Sequence, residues 1–348
     1  MIVRPATVED NGGLLNLTRR APMKGGIQLR IDRDPDFFEI LRRRGNYSTF
    51  VIEDEGKIVG SWSVVVHPVL IDGKNTTLNY LRDLKLDPDY QGGTAIFRLF
   101  KFVSEHQKKQ DADLHFTIVL KGNEKVLSML GGRAGLPNFD FSGKFCLNFM
   151  VLRPFKTLLS SDIIEKDPDQ KALTSFYNSF YRNYQLAPVI HTDHLKKLRN
   201  IVLRSGERIL AAVSLEDPID CRKNIVVRYS IVFRLLIFLM RIVSKFKWIA
   251  APPAEGEVMR IMFIKYMAFK GNPEDVYKLL KHVISMAFRE KYHFLCAGFH
   301  EKDRLGPLLK RFSGLKVEVL SYALSLKKNK DVLKKLKEQV LFEDHPLT

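Results

Sequence analysis

The chain has 348 residues, 45% hydrophobic and 27% charged, which is enough for two domains of common size and excludes a chain disordered throughout. Net charge is +17 and the pI is about 9.7, so the field favours an anionic partner: a nucleotide cofactor, nucleic acid or an anionic membrane face. Cys146, Cys221 and Cys296 are odd in number and lack metal-like spacing, so they read as fillers of apolar space in a reducing, cytoplasmic compartment.

The opening "MIVRPATVED" predicts a short strand and no signal peptide. Thr7 before Glu9 and Asp10 caps the start of a helical region that runs towards "LRRRG", Leu41–Gly45, a basic patch read as a favourable helix end. "FVIEDEGKIVGSWSVVV" predicts a hairpin turning at Asp54-Glu55-Gly56-Lys57, and the next turn falls near Asp72-Gly73-Lys74. Ile96, Leu99, Phe100 and Val103 have helical spacing. "DLHFTIVL" reads as a strand, "NEKVLSMLGGRAG" as a helix ending at glycine, and "KFCLNFMVLRPF" as a strand.

After a junction, the plan repeats. "NIVLRSGERILAAVSLEDP" predicts a hairpin, "EVMRIMFIKYMAFKG" a strand, and "NPEDVYKLLKHVISMAFREK" a helix with Pro273 at its start. "YHFLCAGFH" is a strand, "DRLGPLLKRFSG" a helix ending at Gly314, and "KVEVLSYALSL" a final strand before a basic amphipathic tail read as a solvated surface helix. Within this second half, after "KNIVVRY", lies Tyr229–Pro253, the most apolar stretch. Arg234 and Arg241 interrupt it, and each would cost roughly 2.5–3.5 kcal/mol near a bilayer centre, so a spanning helix is rejected. It reads first as a largely buried helix with a basic stripe reaching water, and second as an interfacial helix or the wall of a greasy channel.

"VRPATVED" and "LRDLKLDPDYQGG" resemble the first strand and the central strand with its pyrophosphate turn in the GNAT superfamily of acyl-CoA-dependent N-acyltransferases. That turn is usually written L-x-x-L-x-V-x-P-x-x-[RQ]-G-x-G-x-[GA]; Leu81, Leu84, Leu86, Pro88, Gln91 and Gly92 match it in register. Thr94 and Ile96 replace two small positions of the motif. The match covers about residues 1–150, and the second half resembles the family through element order alone.

The resemblance implies an α/β fold, α+β in its mixed sheet, with two GNAT-like domains in tandem. Their expected bounds are 1–155 for the acyl-CoA-binding domain, 156–184 for the junction and helix, 185–326 for a degenerate domain and 327–348 for the tail. It implies an enzyme that moves an acyl group, with acetyl the first expectation, from coenzyme A to a small-molecule or peptide amine. The co-substrate is acetyl-CoA or another acyl-CoA, with no metal and no nucleic-acid partner. Gln91, Gly92, Gly93, Thr94 and Ala95 would hold the pyrophosphate, Leu84 and Leu86 would align pantetheine and thioester, and Asn123 stands at the family asparagine. Tyr80 and Asp83 are the candidates for the catalytic base, although Asp83 also reads as a surface partner of Arg82 or Lys85.

The tyrosine acid common in the family is absent, because Leu130 stands in its place. In the second half, Glu274 and Asp275 at the corresponding turn would repel a diphosphate, and Asn272 reads as a plain helix cap. His67, His115 and His300 are further candidates for the acceptor side. Two other functions stay open: a non-catalytic module that senses acyl-CoA or holds a partner, and a peripheral enzyme on an anionic membrane using longer acyl chains.

Overall fold

A computed structural model describes residues 1–23, 25–91, 94–107, 114–132, 137–155, 168–327 and 329–347, with the backbone of 163–165. The first unit runs β1 (Ile2–Pro5), α1 (Asn11–Arg20), β2 (Ile27–Asp32), α2 (Glu39–Arg44), β3 (Asn46–Asp54), β4 (Lys57–Ile71), β5 (Lys74–Leu86), α3 (Ala95–Gln107), β6 (Leu114–Leu120), α4 (Glu124–Leu130) and β7 (Asp140–Val151). Then follow β8 (Ile163–Glu165), α5 (Gln170–Tyr181), α6 (Thr192–Leu195), β9 (Arg199–Ser205), β10 (Arg208–Glu216), β11 (Lys223–Tyr229) and α7 (Ile231–Lys245). The chain continues with β12 (Val258–Met259), β13 (Ile261–Phe269), α8 (Glu274–Arg289), β14 (Phe294–His300), α9 (Gly306–Leu309), β15 (Gly314–Ser325) and α10 (Lys330–Glu338).

The predicted hairpins form for the expected reason. Glu55 and Gly56 have φ of 48° and 74°, Asp72 and Gly73 have 50° and 70°, and such consecutive positive values match the twist of the flanking strands. In α8, Val276, Leu279, Leu280, Val283 and Ala287 fall on one buried face, the valines and leucines each contributing roughly 1.5–3 kcal/mol.

Among the described residues, twelve strands make one sheet in the order β1-β3-β4-β5-β6-β15-β7-β14-β13-β10-β9-β8. The order is pseudo-symmetric about the β15–β7 pair. The parallel pair β5–β6 on one side answers the parallel pair β13–β14 on the other. Each unit lends its final strand across the centre: β15 pairs with β6, and β7 pairs with β14. A second sheet, β12-β11-β2, joins residues of both halves through β11 and β2.

Four expectations change. The region read as helical from residue 11 to 45 contains the strand β2, which is held by its distant partner β11. Gly314 opens β15 instead of closing a helix. The tail is a surface helix only in α10; Leu341, Phe342, Glu343, His345 and Leu347 are buried between the two units. Most of all, α7 is not a buried helix. Ile237 is its one buried residue, and Ile231, Leu235 and Phe238 are 85%, 64% and 60% exposed. No helix of the described residues is long and apolar enough to cross a membrane.

Candidate functional site

The centre of the first unit is a place where two strands part. β5 and β6 pair in parallel at Leu78–Leu114, Asn79–His115 and Tyr80–Phe116, and the Thr117 hydroxyl then donates to the Leu81 carbonyl at 3.0 Å. Beyond it, among the described residues, no strand pairs with the β6-facing edge of β5. The other edge follows β4 to Leu86 but carries a bulge. Arg82 faces Ser63 and Lys85 faces Ser61, so Asp83 and Leu84 share the space opposite Trp62. Asp83 takes a φ of 55°, a left-handed conformation that aspartate tolerates, and its carbonyl accepts the Ser61 hydroxyl at 3.0 Å. A bulge of this kind adds local twist, and it falls just past the point where β5 and β6 stop pairing.

One face of this strand meets α3. Leu84 and Leu86 are partly buried against an apolar cluster that includes Trp62, Leu99 and Phe100. Ala95 is buried at the start of α3, and the exposed Thr94 offers its carbonyl to the Arg98 N–H at 3.1 Å. Gln91 is exposed after a short turn at Pro88–Tyr90 and takes the Lys125 ammonium at 3.4 Å, which brings the start of α4 beside the loop. Asn123 is exposed at the head of α4, its carbonyl accepting from the Leu127 N–H at 3.0 Å. Gly92 and Gly93 lie outside the described residues. Behind the helix is a mainly apolar cavity of about 480 Å³, walled by Trp62, Leu81, Phe100, His115, Phe139 and Leu324 among others.

The opposite face holds charge. Asp83 is not at the surface: its carboxylate accepts Arg33 at 3.0 Å and Arg82 at 3.1 Å, and all three side chains are buried. Burial alone would push the Asp83 carboxyl up; Arg33 and Arg82 outweigh it and hold it well below the usual carboxylate range. Burial pushes Lys85 down to about 8 against the pull of Asp83, with Arg33 and Arg222 adding to the fall. Arg222 is likewise pushed down by burial, to about 10. Arg33 and Arg222 arrive together because they flank the paired ends of β2 and β11.

Tyr80 is buried one step before Leu81, with the Arg44 guanidinium 3.5 Å from its ring centroid. Arg44 also pairs with Glu343 at 2.7 Å, and the Leu347 carbonyl accepts from both Arg44 and Arg82. The C-terminal segment thus reaches the bulge of β5. It also reaches the matching bulge of β13, where the extra residue Lys265 pairs with Glu216 at 2.7 Å and Asp344 at 3.1 Å.

The sequence candidates therefore divide by face. Leu84, Leu86, Gln91, Thr94, Ala95 and Asn123 gather on the α3 side, and Tyr80 and Asp83 on the other. Of the histidines, His115 lines the apolar cavity, while His67 sits half-buried on β4 and His300 is fully buried against Phe145. Arg33, Arg222 and Glu343 escaped the sequence reading, and Lys85 was read only as a surface partner of Asp83. The "LRRRG" patch held one signal: Arg44 is buried there, whereas Arg42 and Arg43 make exposed pairs with Glu39.

Leu130, at the position of the missing tyrosine, is buried in the cluster that Tyr322 of β15 packs against. Burial raises the Tyr322 hydroxyl, with Glu124 adding to it. In the second unit, Asn272 accepts the Glu274 N–H at 3.0 Å, and Glu274 and Asp275 occupy the first turn of α8.

No family model matches the sequence, and no curated protein matches it. The fold does have solved counterparts. Saccharomyces cerevisiae N-myristoyltransferase with bound myristoyl-CoA superposes with a TM-score of 0.63 at 8% identity, covering 92% of this chain and 82% of that one. A GCN5-related N-acetyltransferase from Anabaena variabilis gives 0.52 at 12% identity, covering 92% and 72%. A probable N-acyltransferase from Enterococcus faecalis gives 0.52 at 11%, with the same coverage. The chain has the acyl-CoA N-acyltransferase fold, built as two GNAT-like units in tandem.

Proposed function

We propose that the protein transfers an acyl group from its coenzyme A thioester to a small-molecule or peptide amine by direct attack. The parting of β5 from β6 beside the start of α3 supports this most strongly. It sets a strand edge next to a helix N-terminus, which suits a thioester carrying a diphosphate tail. In this reading Gln91 to Ala95 hold the pyrophosphate, the main chain at Leu84 and Leu86 aligns the pantetheine and thioester, and Asn123 borders the cofactor.

The amine nitrogen forms its bond to the carbonyl carbon, the C–S bond breaks, the thiolate gains a proton and the new amide loses one. Asp83, gripped by two arginines, suits a positioning role better than proton transfer. Tyr80 stays a candidate base. Lys85 joins it, since a group titrating near 8 is partly neutral at physiological pH. Tyr322 is our candidate for protonating the thiolate: it shares its sheet face with the cavity-lining Leu324 and stands opposite Thr117 on β6.

Acetyl is the first expectation for the acyl group. The cavity favours a longer chain as the second reading, because an acetyl methyl needs only a small part of about 480 Å³. The yeast enzyme of the same fold, described with myristoyl-CoA bound, supports that second reading. Calorimetric titration with acetyl-CoA and with a long-chain acyl-CoA, followed by thiol release across an amine panel, tests the proposal. Failure to bind either thioester at millimolar ligand overturns it. Binding without thiol release favours the non-catalytic module instead.

A further inference from the structure

α7 inverts the usual arrangement of a surface helix. Phe233, Ile237 and Met240 point to the β12-β11-β2 layer. The arc diametrically opposite carries Ile231, Leu235, Phe238, Leu239 and Ile242, which are 42–85% exposed. A soluble monomer rarely leaves so continuous an apolar surface in water. Arg234, Arg241 and Lys245 run along one flank of the same helix. From Arg228 to Pro253 the sequence has five lysines and arginines and no acid. Glu255 reaches Arg234 at 3.4 Å from the following loop, and the stripe keeps its positive sign. Just past the helix, the rings of Phe246 and Trp248 lie 5.5 Å apart, both about two-thirds exposed.

We propose that α7 lies flat on an anionic lipid surface, with its outward face among the acyl chains and its cation stripe at the headgroups. Fifteen residues make a helix roughly 22 Å long, and no described helix can cross a bilayer, so the contact is one of lying on the surface. An apolar face with a basic flank and aromatic rings at one end suits the boundary between headgroups and hydrocarbon. Charge complementarity selects this occupant over a second copy of the chain. A copy would set one cation stripe against another, on proteins that each carry +17; anionic lipid offers the opposite sign. β11 runs from Lys223, next to Arg222 of the buried cluster, directly to α7, so the lipid seat is one strand away from the charged face of β5. The proposal rests on the surface of α7 and holds whether or not acyl transfer is confirmed.

The test is flotation of the full chain with phosphatidylcholine–phosphatidylglycerol vesicles at low salt, against phosphatidylcholine alone. The protein is expected to float with the anionic vesicles and to be released by salt. The two tryptophans make the readout local: Trp248 is 66% exposed and Trp62 is 5% exposed, so an emission blue shift on vesicle binding reports Trp248. The triple variant Leu235→Ser, Phe238→Ser, Ile242→Ser is expected to keep the thermal midpoint, since all three side chains face water, and to lose about tenfold or more in vesicle partitioning. The pair Arg234→Gln, Lys245→Gln is expected to lose the preference for anionic lipid. Wild-type protein that stays in solution beside anionic vesicles at low salt overturns the proposal, as does Trp248 emission that does not move. So does a dimer in light scattering that the triple variant dissolves while vesicles leave it intact, because the face would then belong to a second copy.

Discussion

Arg33 reaches across from the small sheet to clasp the Asp83 carboxylate at 3.0 Å, and so fastens the junction of the two units to the bulge of the central strand. Arg82 holds the same carboxylate at 3.1 Å. Asp83→Asn leaves two buried guanidinium groups facing a neutral amide. A loss of about 3–5 kcal/mol in urea unfolding is expected, with partial recovery when Arg33→Met is added. A loss within the error of the wild type means the pair contributes little to stability.

Thr94→Glu separates helix from ligand. A carboxylate at the residue just before α3 should stabilise the helix by about 0.3–1 kcal/mol, because it meets the positive end of the dipole. The same charge should weaken acyl-CoA binding about tenfold by repelling the diphosphate. A thermal melt and a titration on one sample read both. Unchanged affinity removes the loop from the cofactor site.

Ser104 borders the apolar cavity on α3. Ser104→Trp fills part of that space. Long-chain acyl-CoA is expected to bind about tenfold more weakly, while acetyl-CoA stays within about twofold of wild type. Equal loss for both thioesters assigns the cavity no part in reading chain length.

Tyr322→Phe keeps the ring and removes the hydroxyl. If that hydroxyl protonates the thiolate, kcat falls roughly 100-fold with KM nearly constant. Steady-state thiol release measures both. A fall in KM alone, or no change, returns the role to water.

His67, His300 and His345 are each pushed down to about 4, chiefly by burial, while the unfolded chain titrates near 6.5. Between these values the unfolded state binds more protons, so stability is full above pH 6.5 and is lost as pH falls towards 4. Each histidine accounts for at most about 3 kcal/mol over that window. Urea midpoints measured from pH 7 to 5 should fall steadily, and a flat midpoint would contradict the burial of these rings.

Local physics made much of the fold readable. The Asp54–Lys57 and Asp72–Lys74 turns demand positive φ at two successive residues, and the sequence supplies Glu-Gly and Asp-Gly. The succession of β5 and α3 was legible because strand and helix lie close together in sequence. β2 was not, since "IQLRID" is short and polar and is held by β11, far along the chain. Periodicity showed which residues of α7 share a face but not which face would meet the core. Asp83 was legible as a residue of interest. Its confinement was not, because Arg33 comes from fifty positions away.

The exchange of β7 and β15 sets a timetable for synthesis. Once residue 155 has left the ribosome, every strand of the first unit exists except the one that closes it. β6 must wait for Gly314–Ser325, roughly ten to thirty seconds at ordinary elongation rates, with its outer edge open to any other extended chain. The nascent protein is therefore most exposed to mispairing while its second unit is still being made, and the closing of the central sheet is a late event that joins both halves at once.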